Sequence, residues 1–166
     1  MQTYYSPAHL GHAPEQEFEG GKLTPAVEIP ERAERVRARI EERKLGPVLP
    51  PSEFGNAPLV RIHDAEFVSF LTEAHDEWVK RYRDPDAAAV PSAWPARGLR
   101  TQLHGHIEAR LGSYTFDTAT PILKGTWEAA RNAANVALSA ARAIQQGEKA
   151  AFALARPPGH HASADL

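Results

Sequence analysis

The chain has 166 residues, with 19 Lys+Arg against 21 Asp+Glu for a formal net charge of -2, a balance that lacks the basic footprint of a nucleic-acid-binding module. Its 42% hydrophobic content is enough for a core and excludes wholesale disorder. The absence of cysteine excludes disulfides, thiolate zinc sites and a cysteine nucleophile.

The 14 prolines exceed the usual share of about 5% and predict many loops. The opening Met1-Gln2-Thr3-Tyr4-Tyr5-Ser6 lacks the charge and apolar order of a signal peptide. No apolar run approaches the roughly 18 residues needed to span a bilayer. A soluble cytoplasmic protein with neither a nucleic-acid nor a membrane partner is the expectation.

In chain order, Gln2-Thr3-Tyr4-Tyr5 reads as a short strand and residues 6–30 as a long loop. Residues 31–45 have helical periodicity, with Ala33, Val36, Ile40 and Leu45 as a narrow apolar stripe and Glu31/Arg35 and Arg37/Glu41 as i,i+4 pairs. Gly46-Pro47 stops that helix. Arg32, Arg35, Arg39 and Arg43 share one face, and the interleaved acids make a solvated face a better reading than an anion site. Leu59-Val60-Arg61-Ile62 reads as a strand. Asp64 then offers an N-cap to a helix whose face carries Phe67, Leu71, Ala74, Trp78 and Tyr82, a stripe better read as core than as a cofactor site.

Residues 83–106 break regularity with Asp84-Pro85, Pro91 and Trp94-Pro95, and a loop this long is usually functional or disordered. Residues 126–146 form an Ala-rich helix, with Thr126 as cap, Glu128 at its positive end and Gly147 at its stop. Close packing on a sheet explains that richness in alanine. Residues 150–155 follow as a short apolar run of buried-strand type. Alternation of strand and helix predicts an α/β class with a mainly parallel sheet.

Directly after this last strand comes Arg156-Pro157-Pro158-Gly159-His160-His161-Ala162. Ligands in open α/β sheets bind beyond the carboxyl ends of strands, so a site belongs here. The two prolines stiffen the segment, and Gly159 is expected to hold a backbone conformation that other residues resist. Two adjacent imidazoles can serve a metal-bound water, one taking its proton and the other placing positive charge near an oxyanion. With 8 histidines in 166 residues, about 0.4 adjacent pairs arise by chance, so the pair alone says little. The ordered string around it is specific: it resembles the tandem-histidine motif of the histone deacetylase superfamily, in particular its acetylpolyamine amidohydrolase branch. The resemblance covers nearly the whole chain, through Gly20-Gly21-Lys22-Leu23, Pro25, Glu28-Ile29-Pro30, Arg32-Ala33, Arg61-Ile62-His63-Asp64 with Phe67 and Phe70-Leu71, Trp94-Pro95-Ala96-Arg97, Leu111-Gly112-Ser113-Tyr114, and Gly125-Thr126-Trp127-Glu128-Ala129-Ala130.

The resemblance implies the arginase–deacetylase α/β fold, a parallel sheet with flanking helices, represented here by its N-terminal half, and hydrolysis of an acetamide to an amine and acetate with a Zn2+ ion. His161 would then be general base and later acid for the leaving amine, His160 chiefly electrostatic, and Arg156, Pro157, Pro158 and Gly159 the motif that holds them. Glu108 matches an acid directed at a cationic amine, pointing to a small cationic acylamine substrate. An isolated glutamate is also read as solvated surface, and the two readings stand level. The long insertion loop at 79–106 would pair two copies as a homodimer and narrow the channel. A second acid of the branch falls where this chain has Ala119, with Asp117 offset, a departure that bears on polyamine selectivity.

His104 and His106 form a His-x-His pair better read as loop surface than as a metal chelate. His63 takes a structural or channel-rim role. The family's metal ligands, an Asp-x-Asp-x-His-His-Gly-type segment and a later Asp, and its catalytic Tyr all lie downstream of the histidine pair. None of them, and therefore no metal ligand, is assigned within 1–166, which reads as the N-terminal part of a single deacetylase-like domain cut by truncation or frameshift. The chain alone is expected to be inactive. The alternative is a non-catalytic remnant or interaction module that needs a partner fragment.

Overall fold

A computed structural model describes residues 1–96 and 105–166. They form two compact units that interleave along the sequence.

The first unit comprises Met1–Ala13, Glu28–Pro58 and Gly125–Pro158. Its centre is a three-stranded sheet of β1 (Gln2–Tyr5), β4 (Val48–Leu49) and β5 (Ala151–Leu154), ordered β4-β1-β5. Both pairings are parallel, with Thr3 opposite Val48 on one side and Phe152 on the other. Side chains alternate across a strand, so Tyr5, Val48, Phe152 and Leu154 share the face that packs against Ala33 and Ile40 of helix α1 (Glu31–Glu42). Helix α4 (Thr126–Gln145) packs on β1 and β5, where Ala151 and Ala153 permit a close approach. This is the parallel sheet with flanking helices that the alternation predicts.

The periodic reading of α1 holds for Ala33 and Ile40, while Val36 and Leu45 remain exposed. Acids Glu31 and Glu34 occupy its first turn and Arg39 its last, each matched to the helix dipole. Of the two expected i,i+4 pairs, Arg37–Glu41 forms at 2.9 Å. Lys44 and Gly46 take positive φ beyond the helix, and a side chain at Gly46 would collide with the Met1 carbonyl. The two-residue strand β4 follows at once and is too short to show a sequence period. Helix α4 has Gly125 as its N-cap, not Thr126, because Thr126 is already its first helical residue. Nor is it uniformly apolar: buried Asn132, Asn135 and Ser139 bind Ser6 and the backbone of Ser52 and Phe54, satisfying loop groups that burial would otherwise penalise.

The second unit comprises Pro14–Val27, Leu59–Lys124 and Gly159–Leu166. The expected loop 6–30 contains an antiparallel hairpin in this unit, β2 (Gln16–Glu19) with β3 (Lys22–Pro25), turned by Gly20 and Gly21 at positive φ. It also contains a 3-10 turn, Pro7–Gly11, in the first unit. Leu59–Arg61 is a 3-10 turn, not the expected strand. The amides of Ile62 and His63 donate back to the Leu59 carbonyl at 3.0 and 2.8 Å, so local bonds replace a ladder.

Helix α2 (Ala65–Tyr82) buries Phe67, Phe70 and Ala74 with Leu71 and Trp78 alongside, while Tyr82 is exposed. Asp64 occupies the N-cap position but makes no side-chain cap bond. The 79–106 loop therefore begins inside the last turn of α2, and its irregular course starts at Arg83. Helix α3 (Ile107–Ser113) contributes Ile107 and Leu111 to the same core. No helix among the described residues is long and apolar enough to cross a membrane.

Candidate functional site

Strand β5 delivers the motif. Two residues beyond it, Arg156 is buried, and its guanidinium is satisfied on several sides. One terminal nitrogen donates to the carbonyls of His9 and His12 at 2.7 and 2.6 Å, and the other to the Glu28 carbonyl at 3.1 Å. Nε donates to Glu28 Oε1 at 3.2 Å. Glu28 Oε2 lies 3.0 Å from Nη2, within ion-pair range though off the hydrogen-bond direction. A fixed planar fork suits several acceptors at once in a way that an ammonium does not. Arg156 therefore ties the start of the motif to residues 9–12 and 28, and the Arg156–Pro157 peptide is cis.

The chain passes from the first unit to the second between Pro158 and Gly159. Gly159 does not carry the conformational role expected of it: its φ is not positive, and an added Cβ would meet nothing within 4 Å. His160 and His161 follow, both exposed, with ring centroids 4.2 Å apart and planes at 49°. His161 also meets the Phe116 ring edge-on at 5.8 Å. The segment beyond is anchored by His63, whose Nδ1 donates to the Ser163 carbonyl at 2.6 Å, and by the Asp64 amide, which donates to the Ala164 carbonyl at 2.7 Å. His63 thus has a structural contact. Phe116 escaped the sequence reading because nothing in its local context distinguishes it from a surface aromatic.

Glu108, on the first turn of α3, accepts at one oxygen from Arg81 Nε and from Tyr82 Oη, each at 3.0 Å. Its carboxyl is held below the usual range, first by a backbone N–H and then by Tyr82 and Arg81, against a burial effect of opposite sign. Glu108 is thus ionised and already faces a cation. His106 caps α3 by position without a side-chain bond, and His104 lies outside the described residues, as does Arg97. Asp117 bonds Ala119 and Thr120 within its own turn.

A second polar cluster was not legible in sequence, because its members lie far apart along the chain. Tyr5 Oη donates to Glu34 Oε1 at 2.6 Å, buried His9 Nε2 lies 3.0 Å from the same oxygen, and Arg37 binds Oε2 at 2.8 Å. Tyr5 chiefly, with Arg37 and His9, holds the Glu34 carboxyl down at about 2. Burial and then Glu34 push the Tyr5 phenol up to about 12. Nearby in sequence, burial and the positive Arg156 lower His12 to about 4, so its ring is neutral, with Nδ1 2.8 Å from Thr126 Oγ1.

The fit of a metal is decided by donors. Among the described residues no group of three or more His, Asp or Glu side chains converges as a metal site, and no carboxylate hydrogen-bonds His160 or His161. The donor set that a zinc ion needs is therefore not met by these residues, and no step through a metal is assigned to them.

The chain belongs to the histone deacetylase domain family, which it matches over residues 26–166. Acetylpolyamine amidohydrolases 2 and 1 of Pseudomonas aeruginosa are 44% and 42% identical to it, over 99% and 100% of this chain and 47% and 48% of their own lengths. The crystal structure of acetylpolyamine aminohydrolase from Burkholderia pseudomallei superposes with a TM-score of 0.90 at 34% identity, over 99% of this chain and 47% of that one. The chain thus spans about half the length of these relatives, and its parallel sheet with flanking helices is the deacetylase fold.

Proposed function

We propose that residues 1–166 are the tandem-histidine half of a single deacetylase domain that hydrolyses acetylpolyamines or similar small cationic acylamines. The observation that carries this reading is the ordered motif Arg156 to Ala162 at the carboxyl end of β5, with two exposed imidazoles 4.2 Å apart. Likeness to acetylpolyamine amidohydrolases along the chain supports it.

In this reading His161 accepts a proton from the attacking water and returns it to the leaving amine, while His160 stabilises negative charge beside it. Glu108 receives the cationic end of the substrate. Zn2+ chemistry, where the domain uses it, draws its ligands from outside the described residues. Pairing of two copies through 79–106 belongs to the same proposal, and residues 97–104 of that loop lie outside the described residues.

A second reading, an interaction module that needs a partner fragment, draws on exposed apolar side chains such as Leu23 and Val27, 68% and 72% exposed. One experiment separates the two. The 166-residue chain, alone and joined to the C-terminal half found in its relatives, is supplied with zinc and N-acetylputrescine, and acetate release is measured. Turnover only by the joined protein is expected. Turnover by neither form favours the second reading, and zinc-dependent turnover by the chain alone rejects the expectation that its own residues lack the metal site.

A further inference from the structure

The cation already resting on Glu108 bears on substrate choice. Arg81 and Tyr82 occupy the last turn of α2, and both use the same oxygen of Glu108, at 3.0 Å each. The Arg81 guanidinium lies 5.5 Å from the Tyr82 ring centroid, and the Tyr82 ring leans on Trp78 with centroids 4.4 Å apart. A carboxylate beside an aromatic face is what an alkylammonium ion seeks, through a charge-assisted hydrogen bond and a cation–π contact. Here a side chain of the protein fills both positions. It does so reversibly, because Arg81 is 58% exposed and Glu108 28%, and exposed pairs of this kind hold weakly. Arg110, the cation of α3 itself, is bound elsewhere, to Glu73 and Glu77 at 2.5 and 2.9 Å.

We propose that Arg81 is a specificity-determining residue: an internal competitor that occupies the Glu108–Tyr82 ammonium site and must yield to the amine of an incoming acylated diamine. The inference rests on the reading of Glu108 as the acid that meets the substrate's cation. Its consequence is selection by charge strength. A diamine whose free ammonium can displace a guanidinium is admitted, and a neutral acylamide gains nothing at this position.

The test uses the 166-residue chain with its glutamate carboxyl carbons labelled with carbon-13, and putrescine as the probe at constant ionic strength. Binding is read from the Glu108 carboxyl resonance in wild type and R81M, and from backbone amide shifts in these and in E108Q, which lacks that carboxyl. Arg81→Met retains the apolar stem and removes the charge. It is expected to tighten putrescine binding about two- to fivefold, the range that loss of one exposed ion pair spans, and Glu108→Gln is expected to abolish binding. Unchanged or weaker binding in R81M, with binding still lost in E108Q, overturns the competitor role and leaves the Glu108 reading standing. Putrescine binding in E108Q equal to wild type, or no shift in any form, overturns both. Failure of the joined protein to release acetate while these shifts appear as expected rejects the proposed activity alone.

Discussion

Arg156 and Glu28 stand 128 positions apart in sequence and meet as an ion pair of 3.0 Å, with the arginine side chain only 3% exposed. The same guanidinium closes on the carbonyls of His9 and His12. One residue of the motif therefore serves architecture: it fixes where the chain leaves β5, four residues ahead of His160.

Removing either partner should show this. Arg156→Met leaves two buried carbonyls without their donor, and Glu28→Gln leaves a buried cation without its counter-charge. Each is expected to cost about 2–4 kcal/mol of unfolding free energy, measured by urea denaturation. Arg156→Lys is expected to recover little, since one ammonium does not span the four acceptor groups. A loss within 0.5 kcal/mol for both R156M and E28Q would remove Arg156 from this role.

His12 makes stability depend on pH in a definite direction. Its folded value is about 4 against an ordinary 6.5, so between those values the unfolded chain binds a proton that the folded chain does not. The stabilisation is complete above pH 6.5 and is lost as pH falls toward 4, a change on the order of 3 kcal/mol. Glu34, lowered to about 2, adds its own loss below its ordinary value of 4.5. Urea midpoints between pH 4.5 and 6.5 should therefore fall steeply in wild type and much less in His12→Asn, and parallel curves would reject the assignment.

Gly112 is buried within α3, and a Cβ there would sit inside contact distance of the Ala93 carbonyl. Its φ is not in the left-handed region, so an alanine is excluded by space and not by backbone conformation. Gly112→Ala is expected to lower stability by about 1–3 kcal/mol, although alanine is the better helix former by about 1 kcal/mol. A melting temperature equal to or above wild type would contradict the close approach of residue 93 to α3.

His161→Ala, placed in the chain joined to the C-terminal half found in its relatives, is expected to reduce acetate release from N-acetylputrescine by at least a hundredfold, the scale of a lost general base. His160→Ala should retain more activity, because its part is electrostatic. Equal turnover by H161A and wild type would reject the acid–base role.

Much of this protein is legible from its residues alone. The periodicity of Ala33 and Ile40 and of Phe67, Leu71 and Ala74, the helix at 126–146, and the strands at each end follow from repeating local patterns that burial rewards directly. The string from Arg156 to Ala162 marks the candidate site in the sequence because its order is specific. What local pattern does not encode is decided elsewhere. Val48–Leu49 is a strand only because β1 lies beside it, and Leu59–Arg61 is not one because the Leu59 carbonyl accepts from the nearby amides of Ile62 and His63. The pairing of Arg156 with Glu28, the neutral state of His12 and the occupation of Glu108 by Arg81 arise from groups brought together over long separations, where burial and charge act through space and leave no periodic trace. The opening balance of 19 basic and 21 acidic residues fixes the net charge and nothing of its arrangement. Only the tertiary structure shows which of those charges are partnered, and with whom.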